Sequence, residues 1–220
     1  MKYKMKKKIL SLTLIIFTIT TYSQDDVYSY TENYITNRII IDKNYFVMTS
    51  FKVDTNKFVK TIGGFYSENG SKLNVDLEFN SNYKNDSISK VKIEKKANWK
   101  KISLKENDLQ GKWLMVGRVR NGNEQRRNLD RPRKTMKFLI NGYFQWIAFN
   151  TETFQFSGSG GGKYITKDGK YIESIEYFSR DDSKVGLNLE FDYELINKEW
   201  NHKGFSSKGY PLHEIWVVRK

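Results

Sequence analysis

The side chains that point most directly to chemistry are aromatic residues with polar neighbours in the second half of the chain. Trp146, Tyr164 and Trp200 lie in separate segments, and His202 follows Trp200 by two residues, so these two would share one face of a strand. A small-molecule cavity needs apolar walls with a few hydrogen-bonding groups. We therefore predict that these four residues line a ligand site. A filled barrel core would use the same residue types, and this alternative stays open.

A second candidate group is an acidic and basic cluster that consists of Glu173, Glu176, Arg180, Asp181 and Asp182. Paired carboxyl groups serve as acid and base when their surroundings separate their pKa values. We place Glu176 and Arg180 in the predicted ligand site, and Glu176 with His202 would suit a hydrolase or isomerase. A solvated turn with ion pairs of little energetic value is the alternative interpretation.

Basic residues concentrate in one stretch, which contains Arg118, Arg120, Arg126, Arg127, Arg131, Arg133, Lys134 and Lys137. Such a rim favours an anionic ligand or an anionic surface. We assign Arg118 and Arg120 to the ligand site. A second function class follows from the same charge, namely a non-catalytic interaction module that docks a cell-envelope glycan or a protein. Sequence-specific nucleic-acid binding is not expected, because no recognition helix is indicated.

No metal ion or cofactor is predicted. The chain has no cysteine, and its two histidines, His202 and His213, do not lie within four residues of each other. The glycine run Gly158 to Lys163 lacks the Ser or Thr and the following helix of a phosphate-binding loop. We interpret it as a place where a strand bends.

The N-terminus predicts export. Lysines precede the apolar stretch Ile9 to Thr18, which is typical of a signal peptide ending near residue 23, and no segment is apolar for long enough to span a membrane. We expect a secreted or periplasmic protein. The formal net charge is +13, of which five belong to leader lysines, leaving +8 for residues 24–220.

The remaining chain has the alternation of an all-β protein. Val185, Leu187, Phe191 and Leu195 belong to a run that is apolar at every second position, which indicates antiparallel strands with one buried face. From residue 106 onward the pattern predicts eight strands, near 112–119, 135–141, 143–149, 155–166, 170–179, 185–196, 200–206 and 213–219.

The chain also repeats itself. Tyr45-Phe46 aligns with Tyr143-Phe144, Gly63-Gly64 with Gly161-Gly162, and Tyr66 with Tyr164. We predict a duplicated antiparallel β-meander, with one copy at 24–105 and the other at 106–220. Closing the second meander into a barrel would remove its exposed edges.

Gly111-Lys112-Trp113 before this meander, followed by the polar loop Asn121 to Arg133, resembles the start of exported lipocalin-like, calycin-type β-barrel proteins of bacteria. The resemblance implies a barrel in the second copy, an open end capped by that loop, and a structural clasp in which Arg219 lies over the ring of Trp113 at the closed end. Together these observations favour a lipocalin-like binding protein for a small amphipathic or anionic ligand.

Overall fold

The computed structural model describes residues 25–104 and 107–219. The predicted signal peptide lies outside these residues. The described chain is all-β and forms two antiparallel sheets, as the alternating pattern predicts. No helix in the described ranges is long and apolar enough to cross a membrane.

The first sheet contains seven strands in the order β6-β5-β4-β3-β2-β1-β7. A single helical turn, α1 (Tyr83–Asp86), separates β5 from β6. The strands are β1 (Asp26–Glu32), β2 (Ile35–Ile41), β3 (Tyr45–Lys52), β4 (Phe58–Asn69), β5 (Lys72–Asn80), β6 (Lys90–Glu94) and β7 (Lys100–Lys101). The sheet is open, because β6 and β7 at its two ends do not pair with each other.

The second sheet closes into an eight-stranded barrel. Its first strand, β8, pairs with the last strand, β16, and also with β10, while β9 forms a hairpin on β8. The strands are β8 (Gly111–Arg120), β9 (Asn123–Arg126), β10 (Arg133–Ile140), β11 (Tyr143–Asn150), β12 (Phe156–Lys167), β13 (Lys170–Phe178), β14 (Asn188–Ile196), β15 (Glu199–Phe205) and β16 (Pro211–Val218). The hairpin strand β9 is the one strand of this half that the pattern missed.

The predicted strand 185–196 is wrong at its start. Residues Asp182–Lys184 form a 3-10 turn, and the Asp181 side chain accepts a hydrogen bond from the Ser183 backbone N–H at its beginning. Leu187 and Leu195, expected on the buried face, are 38% and 48% exposed. Pairing between β13 and β14 ends at Asp192, so Leu195 lies on a protruding hairpin with no layer facing it.

The two sheets are built from equivalent hairpins. Strands β3, β4 and β5 have the same lengths as β11, β12 and β13. A bulge at Ser50/Phe51 corresponds to one at Ala148/Phe149, and a bulge at Gly63/Gly64 corresponds to one at Gly161/Gly162. Bulges are specific local features of a strand pair. The repeated Gly-Gly segments therefore occupy equivalent surroundings, as the duplication predicts.

The first sheet packs against the outer side of the barrel. Val47, Phe79 and Val27 lie in one apolar cluster with Phe138 and Ile147 of β10 and β11. A separate cluster, which includes Trp113, Phe144 and Trp200, fills part of the barrel interior. Strands β10 and β11 are thus buried on both faces.

Ion pairs fasten the sheets together, among them Lys112 with Asp42 at 2.6 Å and two pairs that involve arginine. The Arg38 guanidinium lies 2.7 Å from the Glu176 carboxylate, and the Arg219 guanidinium lies 2.5 Å from the Glu78 carboxylate. The two arginines also stack over equivalent tyrosine rings, Arg38 over Tyr143 at 4.6 Å and Arg219 over Tyr45 at 5.3 Å. An ion pair combined with a cation-π contact therefore stabilises the interface between the sheets at two places.

The predicted clasp between Trp113 and Arg219 is wrong. Arg219 reaches outward to Glu78 and lies over the rings of Tyr45 and Phe65. Trp113 points into the barrel, where its Nε1–H donates to the Leu109 carbonyl at 2.7 Å. The resemblance did not anticipate a sheet packed outside the barrel, which supplies the carboxylate that Arg219 binds.

The bulge glycines give a test of the duplication. A Cβ atom at Gly64 would overlap the Asp76 carbonyl oxygen, and one at Gly162 would overlap the Ser174 carbonyl oxygen. Since paired backbone cannot move aside, we expect Gly64→Ala and Gly162→Ala each to lower the free energy of unfolding by about 3 kcal/mol. Urea unfolding followed by tryptophan fluorescence measures this.

Gly117→Ala is the control for both glycines, because its added Cβ would have its nearest neighbour at 3.2 Å. Gly117→Ala should lower the free energy of unfolding clearly less than Gly64→Ala or Gly162→Ala does. A Gly162→Ala protein as stable as the parent would show that the close approach at this bulge is wrongly described.

Candidate functional site

A cavity of about 640 Å³ opens at one end of the barrel. Strand β8 pairs with β10 only over Gly111 to Leu114 and pairs with β9 from Gly117 onward, so the wall divides near this end. The connections after β9, β13 and β15 surround the opening, and we call it the mouth. The apolar lining includes Trp146, Phe178, Leu189, Phe191, Leu212 and Trp216.

The other half of the barrel is filled. Tyr164, Tyr171 and Trp200 are fully buried, and the Trp200 ring contacts Trp113 edge-on at 5.6 Å. The barrel interior is therefore hollow in one half and filled in the other. This division is possible because an eight-stranded barrel is close to the size at which side chains just fill it.

A buried ion pair forms part of the cavity floor. Lys137 Nζ lies 2.6 Å from the Glu173 carboxylate, and both side chains are 6% exposed. Tyr171 donates its hydroxyl hydrogen to the same carboxylate oxygen at 2.9 Å. Four rings surround the ammonium group at 4.7 to 5.5 Å, namely Tyr171, Trp200, Phe191 and Trp216. The cation is stabilised by these ring faces and by its carboxylate.

A second group of polar and charged side chains lines one side of the cavity. Arg118 donates to the Glu214 carboxylate at 2.9 Å, and the other Glu214 oxygen lies 3.6 Å from His202 Nδ1. Burial, together with the nearby Lys137 ammonium, lowers the pKa of His202 to about 4. Burial opposes ionisation of Glu214, but His202, Lys137 and Arg118 hold its pKa well below the ordinary value. At neutral pH the imidazole is therefore uncharged and the carboxylate ionised.

Arginines dominate the mouth. Arg127, Arg131, Arg133 and Arg180 line the cavity, and among the described residues none of them makes an ion pair with a carboxylate. Arg180 donates to the Ser157 carbonyl at 2.9 Å and lies over the Trp146 ring at 5.7 Å. Burial and repulsion from Arg118, Arg133 and Arg120 lower the pKa of Arg127. The mouth therefore holds an excess of positive charge.

The structure brings together half of the residues predicted for ligand binding. Trp146, Arg180, His202 and Arg118 line the cavity. Tyr164 and Trp200 lie in the filled half, and Arg120 is exposed on β8 outside the cavity lining. Trp200 lies on the far side of the cavity floor, where its ring contacts Trp113 at the closed end of the barrel.

The placement of Glu176 in the ligand site is wrong. Its carboxylate lies outside the barrel wall and pairs with Arg38 of the first sheet, whereas His202 lies inside among Tyr171, Phe191 and Trp200. The wall between them prevents Glu176 and His202 from acting on one substrate as acid and base. Glu173, interpreted with the same solvated cluster, is instead buried beside Lys137.

Sequence reasoning did not assign Lys137, Glu173 and Glu214 to the site. The available signal was the spacing of Lys137 and Leu139, which are two residues apart on β10 and therefore share one face. In the structure this face is the barrel interior, because Leu139 belongs to the interior cluster. In the ranges 25–104 and 107–219, no three His, Cys, Asp or Glu side chains converge as metal ligands would.

The fold and the cavity define a class of structure, a closed eight-stranded barrel with an arginine-rich mouth and a second sheet packed outside. The chain matches no protein-family model and no curated protein. Function has to be argued from the site itself.

The buried pair gives a second test. Lys137→Met leaves the Glu173 carboxylate buried without its cation, so we expect a loss of about 3 to 5 kcal/mol in unfolding free energy. Lys137→Met with Glu173→Gln removes both charges and should recover most of that loss. Guanidinium unfolding of the single and double variants measures the coupling.

Lys90 and Asp76 provide the control, since this pair is at 2.8 Å but 80% and 70% exposed. Lys90→Met should change stability by less than about 1 kcal/mol. If Lys137→Met proved equally harmless, the pair would not be enclosed as described.

Protonation of His202 should be linked to stability. Its folded pKa of about 4 lies below the ordinary value of 6.5, so the unfolded chain binds one more proton between these pH values. Stability contributed by the neutral imidazole is complete above pH 6.5 and decreases by about 1 kcal/mol per pH unit as the pH falls towards 4. Unfolding curves from pH 7 to 4.5 measure the slope.

His202→Phe should flatten the stability curve between pH 6.5 and 4.5. The more exposed His213 serves as the comparison, and His213→Phe should leave most of the slope in place. An equal slope in the parent and in His202→Phe would contradict the assignment.

Proposed function

We propose that this protein is an exported, lipocalin-like binding protein that holds a small anionic amphiphile in its barrel cavity. The single observation that carries the proposal is the combination, in one open cavity, of an aromatic wall and four arginines that have no carboxylate partner among the described residues. Its volume of about 640 Å³ lies within the usual range of small-molecule sites.

The two parts of the cavity suit two parts of a ligand. Trp146, Phe178 and Leu212 offer apolar surface that would remove a hydrocarbon chain from water. Arg131 and Arg133 at the mouth offer guanidinium groups, which bind carboxylate and phosphate oxygens through paired hydrogen bonds. The ligand would therefore lie with its chain inside and its anionic head at the mouth.

The floor disfavours a cationic head group. The Lys137 ammonium already occupies the space between the four aromatic rings. Glu173 is paired with Lys137, and Glu214 is paired with Arg118. An amine that entered the cavity would meet positive charge without a free carboxylate. Catalysis is not part of the proposal, because Glu176, the residue considered for acid or base work, faces the first sheet.

Three ligands of equal chain length test the proposal, namely decanoate, decan-1-ol and decylamine. Titration of the chain from residue 24 onward, followed by tryptophan fluorescence and calorimetry, should rank decanoate above the alcohol by about tenfold or more and the amine last. Added salt should weaken decanoate binding, because exposed arginines are screened.

Arg127→Ala with Arg131→Ala should reduce the affinity for decanoate towards that for decan-1-ol. Lys167→Ala with Lys203→Ala removes the same charge from exposed positions outside the cavity and should leave decanoate affinity unchanged. Equal affinity for all three ligands, or an equal effect of both double variants, would refute the proposed specificity.

A further inference from the structure

Large apolar side chains project into solvent beside the mouth. The hairpin between β15 and β16 carries Phe205 and Tyr210, which are 61% and 68% exposed. Ser206 and Ser207 of the same turn line the cavity, so this hairpin lies at its opening. In the connection after β9, exposed Leu129 lies between Arg127 and Arg131.

The charge around these side chains distinguishes them from other exposed apolar residues. Leu195 and Ile196, at the opposite end of the barrel, are also exposed, but the charges beside them largely cancel, because Glu194 and Glu199 are accompanied by Lys198, and Arg126 pairs with Glu199. At the mouth the charged neighbours are the arginines without a carboxylate partner and Lys208, and they outnumber Asp130, which follows Leu129 in the chain. Aromatic and leucine side chains beside arginine and lysine are the combination that binds at the interface of an anionic membrane.

We propose that the mouth of the barrel docks on the surface of an anionic lipid bilayer. Phe205, Tyr210 and Leu129 enter the interfacial layer, and the mouth arginines contact lipid phosphates. Rings of phenylalanine and tyrosine suit this layer because their apolar bodies leave water there, while the tyrosine hydroxyl stays hydrated.

This docking goes beyond the proposed ligand binding and does not require it. If both hold, an amphiphile passes between bilayer and cavity without its hydrocarbon chain crossing water. Strand β8 separates from β10 at the same end, so the division of the wall faces the membrane in the docked orientation.

Co-sedimentation with lipid vesicles tests the docking. The chain from residue 24 onward, which contains both sheets, is mixed with phosphatidylcholine vesicles with or without phosphatidylglycerol. The apolar leader is omitted because it would enter vesicles by itself. We expect binding to the anionic vesicles at least about tenfold tighter than to neutral vesicles, and a loss of that difference at high salt.

Phe205→Ser with Tyr210→Ser should weaken binding to anionic vesicles by about tenfold or more. Leu195→Ser with Ile196→Ser, at the other end of the barrel, is the matched control and should bind like the parent. Both double variants replace exposed residues, and their thermal unfolding reports whether the fold is retained.

The docking is refuted by equal binding to neutral and anionic vesicles, by no binding to either, or by equal weakening in both double variants. Failure to bind either vesicle would leave the basic mouth as a surface for a protein or glycan. Decanoate affinity keeps the two proposals separate. Phe205→Ser with Tyr210→Ser should not change the affinity for decanoate. If the parent protein binds anionic vesicles but not decanoate, only the proposed ligand is refuted.

Discussion

The structure depends on the burial of strands β10 and β11 between two layers. Their outward residues, such as Phe138 and Ile147, pack against the first sheet, and inward residues such as Leu139 and Phe144 belong to the barrel interior. Removing apolar surface from water on the outer face stabilises the barrel wall without help from its lumen. The inner face of the same strands can therefore carry Lys137 and Trp146 for the cavity.

The interface between the two sheets has the character of an internal dimer. The Phe51 ring lies 5.2 Å from the Tyr177 ring, and the rings of the equivalent pair, Phe149 and Phe79, lie 5.0 Å apart. Phe58 stacks on its own counterpart Phe156 with the rings nearly parallel. Equivalent residues that meet in this way are typical of an isologous interface, which is self-complementary. A duplicated sheet would thus bring with it a surface already suited to bind its copy.

The copies have diverged where polar groups are buried. Gln145 has no polar counterpart in the first copy, where Val47 aligns with it. Its amide donates to Thr61 and Ser159, which are equivalent residues of the two copies, and Thr49 donates to its carbonyl oxygen. Every polar atom of this side chain is satisfied, so the group can be buried between the sheets at little cost.

Much of the fold could be predicted from the sequence, because alternation and turn residues act locally. Seven of the eight strands expected after residue 106 were correctly bounded to within two residues, and the remaining one, β14, was predicted to start three residues too early. The site was harder, since alternation shows which residues share a face but not which face is inside. Where both faces of a wall are apolar, as in β10 and β11, this ambiguity is greatest.

Glu176 illustrates the limit. Phe178 lies inside the cavity, so strict alternation would place Glu176 inside as well. The bulge opposite Gly161/Gly162 inserts one residue between Ile175 and Tyr177, and the side chains change face there. Glu176 and Tyr177 then both face the first sheet, where they contact Arg38 and Phe51. A bulge depends on the partner strand, so no local pattern in β13 reveals it.

The hollow half of the barrel persists because its wall is short of side chains and its charges oppose collapse. At Gly158 and Gly160 an added Cβ would overlap Arg180, Trp146 or Phe178, so these larger groups lie against bare backbone. Lys137 is held at the floor by Glu173, and the arginines at the mouth repel one another. Arg118 is likewise held at the wall of the cavity, because it donates to the Glu214 carboxylate. An eight-stranded barrel is of the size that side chains can fill or that can hold one small ligand, and here the fixed charges at both ends of the void oppose its filling by apolar side chains.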